Sequence, residues 1–186
     1  MTDTPTPPAL VLIDIQKGFL NPIWGERNNP DAEANATRLL AAWRAQGWPV
    51  FHVQHLSRGP ESPLRPGQDG AEFQPGFEPR PGEGHVTKHV NSAFIGTDLE
   101  GQLRGQGIGR LVIAGLTTDH CVSTTTRMAG NLGFDVTLLG DATATFDRTF
   151  GNLHLTADEL HRAHLASLHG EFATVRTTSE VLAELG

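Results

Sequence analysis

With 186 residues, of which 38% are hydrophobic and 19% charged, the chain can bury one sizeable core and is short for two domains. Its 14 Lys+Arg against 21 Asp+Glu give a net charge of −7, which argues against a phosphate-neutralising surface for nucleic acid and favours a small-molecule substrate. The lone cysteine, Cys121, precludes an intramolecular disulfide and a multi-thiolate zinc site, leaving a buried or a reactive thiol.

The opening MTDTPTPP lacks a basic n-region, and apolar runs such as Ala9–Ile13 are far too short to span a bilayer. We therefore expect a loose N-terminus over residues 1–8, no membrane association and a cytoplasmic protein. Over 9–186, short apolar runs alternate with helical stretches, as in a single domain built on a parallel sheet with crossover helices. The predicted strands are Ala9–Asp14, Pro49–Leu56, His85–Val90, Arg110–Gly115, Phe134–Leu139 and Phe172–Val175. The predicted helices are Ala32–Gln46, Asp98–Gln106, Cys121–Leu132, Thr156–His169 and Ser179–Leu185. Right-handed crossovers would place helices on both faces of a six-stranded, mainly parallel sheet, a three-layer α/β/α domain. Residues 57–84 break the pattern: six Pro and six Gly leave no room for a long element. A segment of that kind is expected to be a lid or an oligomer contact, and its Leu64, Phe73 and Phe77 are expected to offer an apolar face to a second copy, giving a homo-oligomer, at least a dimer.

Three residues have settings suited to chemistry. Asp14 closes the run ALVLI, at the carboxyl end of a strand, where open parallel sheets bind ligands. Lys88 is one of only two lysines among 14 basic residues, and strand alternation puts it on one face with Val86 and Val90, where an ammonium is costly unless a carboxylate pairs with it. Cys121 follows the strand RLVIAG and the turn LTTDH, so that a helix start there would favour thiolate and could supply amides to an oxyanion. All three fall near strand ends, and parallel strands would bring those ends to one rim. The nine histidines are read as structural. His85 and His89 are about 13 Å apart at about 3.3 Å per residue, His52 and His55 point to opposite faces, and His161 with His164 lacks a third ligand. The glycine-rich stretches GQLRGQGIG and AGLTTDHC fit neither a P-loop nor a dinucleotide fingerprint.

The blocks LVLIDIQKGFL, VTKHVNSAFIGTDLE and LVIAGLTTDHCVSTTTRMAGNLGFDVTLLGDATATF, in that order, resemble the isochorismatase-like cysteine hydrolases, a family that includes nicotinamidases and carbamoylases. The resemblance implies a Rossmann-like fold, a triad of Asp14, Lys88 and Cys121, and a cis peptide between Leu116 and Thr117 that aims the Thr117 and Cys121 amides at an oxyanion. Nicotinamidases carry a metal on an Asp-x-His pair. Here His55 and Ser57 take those places, so the resemblance carries over neither metal nor nicotinamide, and no cofactor is expected. The expected reaction is cleavage of a C–N bond in a small amide, ureide or carbamoyl compound through a Cys121 thioester, with Phe19 and Phe94 as pocket walls. The alternatives are vinyl-ether hydrolysis by Asp14 without a thiol, or a catalytically idle binding or assembly module.

Overall fold

The computed structural model describes residues 6–185. The expected loose N-terminus lies outside the described residues over 1–5. Within 6–8, Thr6 O accepts from Arg110 Nη2 at 3.0 Å and Pro8 O from Trp43 Nε1 at 2.8 Å.

The strands are β1 (Ala9–Ile13), β2 (Val50–His55), β3 (Gly84–Lys88), β4 (Arg110–Leu116), β5 (Asp135–Ala144), β6 (Arg148–Phe150), β7 (Leu153–Leu155) and β8 (Thr174–Arg176). Six of them form one sheet in the order β3-β2-β1-β4-β5-β8, every pair parallel, while β6 and β7 make a separate antiparallel hairpin. The helices are α1 (Ala32–Gln46), α2 (Leu99–Gly105), α3 (Ser123–Asn131), α4 (Ala157–Leu168) and α5 (Thr178–Ala183). None is long and apolar enough to cross a membrane, among the described residues.

Strand β1 is apolar at every position because both faces of the sheet are covered. Ala9, Val11 and Ile13 pack with Leu99 and Leu103 of α2, Ala129 of α3 and Leu168 of α4, while Leu10 and Leu12 pack with Leu39 and Trp43 of α1 and Val181 of α5. Burial of each large side chain contributes about 2 kcal/mol. Helix α1 stops at Gly47, whose φ of 64° is left-handed, a conformation glycine adopts without a steric penalty. Helices α4 and α5 start with capping boxes, Thr156 with Glu159 and Thr177 with Glu180.

The chain moves from β1 outward to β3 and then returns to the other flank of β1 with β4. The strand order therefore reverses between β1 and β4, and the crevice beyond their carboxyl ends is where such sheets bind ligands. At this point the two backbones come unusually close. Gly115 has φ +129°, and a Cβ there would collide with the Ile13 backbone. The register of β4 against β5 shifts between Ile113 and Gly115, after which Gly115 pairs with Thr143 and Leu116 with Ala144. This carries β5 beyond the predicted end at Leu139.

Residues 57–84 are folded against the body. Gln74 N donates to Ile15 O at 3.0 Å, Lys17 N to Glu72 O at 2.9 Å and Ser57 N to Leu64 O at 3.0 Å. Leu64 and Phe77 are buried, and Phe73 packs edge-on against His52 and His85. The apolar face expected of this loop is thus turned inward, because the loop caps the sheet beside β2 and β3. The large exposed apolar side chains lie elsewhere, among them Leu20, Ile23, Phe150 and Leu153.

Glu83 ties this loop to the layers beneath it. Its carboxylate accepts from Arg44 Nε at 2.7 Å and Nη2 at 2.9 Å, from Arg80 N at 2.8 Å and from His52 Nε2 at 2.8 Å. Burial alone would raise its pKa, but these donors hold it at about 2. A carboxyl depressed on folding contributes stability above its unfolded value of about 4.3 and loses it as pH falls toward the folded value. Glu83→Gln should therefore be less stable than the parent at pH 7 by about 1–3 kcal/mol, with the gap closing between pH 4 and 2. Urea unfolding across that range checks this; a gap that persists undiminished at the acid end would refute it.

Candidate active site

The ends of β1, β2, β3 and β4 converge on one point. Asp14, the residue after β1, adopts φ 52°, a left-handed conformation that aspartate tolerates better than most residues. It turns the chain sharply, so that Asp14 N still bonds Val53 O at 3.0 Å while Gln16 N reaches back to Asp14 O at 2.8 Å. Lys88 is the last residue of β3, in register with His55, the last of β2. Cys121 lies in a π-helical turn, Thr118–Val122, that joins β4 to α3. The Leu116–Thr117 peptide bond is cis.

The Lys88 side chain is fully buried, and its Nζ is central to the cluster. It lies 2.7 Å from Asp14 Oδ2, 2.9 Å from His55 Nδ1, 3.2 Å from Cys121 Sγ and 3.2 Å from Val90 O. The Lys88–Asp14 contact is a fully buried ion pair. An ammonium has only three protons, so four neighbours share them. Val90 is not on an apolar face beside Lys88: β3 ends at Lys88, and Val90 is 43% exposed and contributes its carbonyl.

Above the cluster is a small cavity of about 130 Å³, walled by Phe19, Trp24 and Leu64 on its apolar side and by His55, Asn91, His120 and Arg148 on its polar side, with Thr117 and Cys121 at its base. Phe19, Trp24 and Phe146 form one aromatic cluster. Phe94, expected at the pocket wall, is placed elsewhere. It stacks on Phe134 at 5.8 Å in the core beneath α2, because the chain after β3 turns down toward the helix layer.

The sequence between residues 8 and 180 matches the family model for the isochorismatase domain. The chain belongs to the isochorismatase family. It is 47% identical over 175 residues to the uncharacterised isochorismatase family protein YrdC of Bacillus subtilis (strain 168), covering 94% of each chain. It superposes with a TM-score of 0.93 and 48% identity on a solved structure from Chromobacterium violaceum ATCC 12472, provisionally assigned as a hydrolase of the isochorismatase family, covering 99% of this chain and 95% of that one. It also matches N-carbamoylsarcosine amidase from Thermoplasma acidophilum at 26% identity and a TM-score of 0.72, covering 92% and 96% of the two chains. The protein is an isochorismatase-family hydrolase with an α/β/α fold.

In this isochorismatase-family site, burial and the Lys88 charge act on Asp14 and Cys121 in opposite directions. Burial raises the Asp14 pKa and the adjacent Lys88 opposes the rise. Burial also pushes the Cys121 thiol well up, and the Asp14 charge adds to this against the opposing effect of Lys88. The sequence suggests a thiolate favoured by a helix start. The structure places Cys121 in a π turn ahead of α3, only 7% exposed, where burial opposes the thiolate.

Asp14, His55 and Cys121 each offer a metal-ligating atom, all within 4.8 Å of one another. They do not fit a resident metal, because the Lys88 ammonium lies 2.7, 2.9 and 3.2 Å from those three residues. A divalent ion there would meet a fixed cation at contact distance. Outside the pocket the histidines hold structure. His161 Nδ1 pairs with Thr118 Oγ1 at 2.8 Å, His85 with Gln54 Oε1 at 3.0 Å and His89 with Leu56 O at 2.8 Å.

Several pocket residues are not legible in the sequence, Arg148 and His55 among them. Arg148 reaches the cavity from the β6–β7 hairpin, its Nε held by Asp119 Oδ2 at 2.9 Å. His55 enters beside Lys88, with its backbone N–H and C=O both bonded by the Gln16 side-chain amide at 2.9 and 3.0 Å. The available signals are that His55 and Lys88 lie near the ends of two predicted strands and that His55 takes the place of a nicotinamidase metal ligand.

Proposed function

We propose that this chain is a metal-independent cysteine hydrolase that cleaves a C–N bond of a small amide, ureide or carbamoyl compound. The observation that carries this reading is the contact of one buried ammonium with both a buried carboxylate and the only thiol, which itself lines a small cavity. Asp14 takes the Cys121 proton as sulfur bonds to the substrate carbonyl carbon, and Lys88 keeps the carboxylate ionised and aligned. The tetrahedral oxyanion is held by the backbone amides of Thr117 and Cys121. Asp14 then gives its proton to the leaving nitrogen as the C–N bond breaks. In the second half, water attacks the thioester carbonyl and passes a proton to Asp14. The C–S bond breaks, and Asp14 returns the proton to sulfur. Phe19, Trp24 and Leu64 confine the substrate to a small size. The name of the Thermoplasma relative, a carbamoyl amidase, agrees with this class. We also propose a cytoplasmic homo-oligomer, with the apolar side chains outside residues 57–84 at its contacts.

A screen of small amides, ureides and carbamoyl compounds, read by intact mass, is expected to find one that leaves an acyl adduct on Cys121 and turns over. Exhaustive chelation should leave that turnover unchanged. Activity lost to chelation and restored by zinc, iron or manganese would refute the metal-independent reading.

A further inference from the structure

His55 is the one member of the central cluster that the proposed chemistry leaves without a task. It is held twice, its backbone by the Gln16 amide and its Nδ1 by Lys88 Nζ at 2.9 Å. Its ring also walls the cavity directly beside Cys121 and Thr117. A nitrogen facing an ammonium at that distance must present its lone pair, so the ring proton is left to Nε2. Nε2 makes no hydrogen bond among the described residues, nor is it a sealed, unpartnered atom. Burial, then the charges of Lys88 and His89, lower the His55 pKa to about 4, so the ring stays neutral at ordinary pH.

We propose that His55 is a positioning and specificity-determining residue: its Nδ1 holds the Lys88 ammonium, and its Nε2–H is offered to an acceptor atom on the substrate. The fitting substrate therefore carries an acceptor oxygen beside the scissile carbonyl, as an acylurea with its second carbonyl or a carbamate ester does. The competing arrangement has the proton on Nδ1, donated toward the Val90 carbonyl, with Nε2 an acceptor. The substrate class rests on the amide-hydrolase reading, whereas the tautomer does not.

The test separates the two. Long-range proton–nitrogen correlation of the 15N-labelled protein should show His55 neutral with the proton on Nε2 between pH 8 and 5.5. A proton on Nδ1, or an imidazolium, overturns the proposal without recourse to any variant. Alkylation of Cys121 is then followed with iodoacetamide, whose carbonyl can accept a hydrogen bond, and with iodomethane, which has no acceptor. In His55→Leu and His55→Asn the ratio of the two rates should fall about tenfold, the equivalent of one lost hydrogen bond. The iodomethane rate, which reads the Lys88–Cys121 pairing, should fall in His55→Leu and be kept in His55→Asn, whose side-chain oxygen can replace Nδ1. An unchanged ratio in both variants overturns the donor role even if amides are turned over. A changed ratio stands even if no amide substrate is found.

Discussion

Cys121→Ala should abolish turnover of the amide found by screening, with kcat/KM reduced on the order of 10⁴-fold or more, as expected when the nucleophile of a covalent mechanism is removed. Cys121→Ser should recover little. A serine hydroxyl is harder to deprotonate than a thiol, and the base available, Asp14, is a carboxylate. The fold should be retained in both variants, because Cys121 packs at the edge of the core next to Val122 and Ala93 and the cavity opened by Ala adjoins one already present. Steady-state kinetics and circular dichroism on the three proteins are sufficient. Substantial hydrolysis by the Ala variant would mean that Asp14 works without a thiol, as in vinyl-ether hydrolysis by proton transfer.

Lys88→Met should lower kcat/KM by about 10³-fold or more, because it removes the cation that orients the base and favours its ionised form. Burial raises the Asp14 pKa and Lys88 counteracts it, so the acid limb of the kcat/KM profile should move to higher pH in the variant. Stability gives an independent reading. A carboxyl whose folded pKa is raised above the unfolded value of about 3.9 destabilises the fold increasingly as pH rises through that interval. The variant should thus be closer to wild type at pH 5 than at pH 8. Lys88→Arg should also be poor, since a planar fork cannot fit among four neighbours arranged around a point charge. Near wild-type rates with an unshifted acid limb in Lys88→Met would remove Lys88 from the mechanism.

The parts of the fold legible in the sequence are those whose burial leaves a regular apolar pattern. Strand β1 and helix α1 are recognisable because apolar runs and apolar periodicity leave few other solutions. The convergence of Asp14, Lys88 and Cys121 was legible for the same reason: parallel strands put their carboxyl ends on one rim. What escaped depends on contacts between distant segments. The hairpin β6–β7 is two strands of three residues each with exposed Phe150 and Leu153, so no periodicity marks it, and Arg148 was missed with it. Leu64 and Phe77 have no local pattern to say that they face inward. That Phe94 would pack on Phe134 depends on a turn after β3 that Asn91 and Ser92 leave undetermined. In the sequence His55 stands beside His52 as a candidate metal ligand. Its neighbour turned out to be an ammonium.

The close approach of β1 and β4 at Gly115 has a consequence for any mutational survey of this enzyme. No residue with a side chain fits at position 115, since both the backbone angle and the Ile13 backbone forbid one. Every substitution there should score as inactive alongside changes at Cys121, although Gly115 contributes no group to the reaction. The two classes separate by abundance rather than activity: replacements of Cys121 should accumulate as folded, silent protein, whereas replacements of Gly115 should be cleared before they can be assayed. A loss-of-function map that omits protein levels would extend the reactive centre into the sheet, to Gly115.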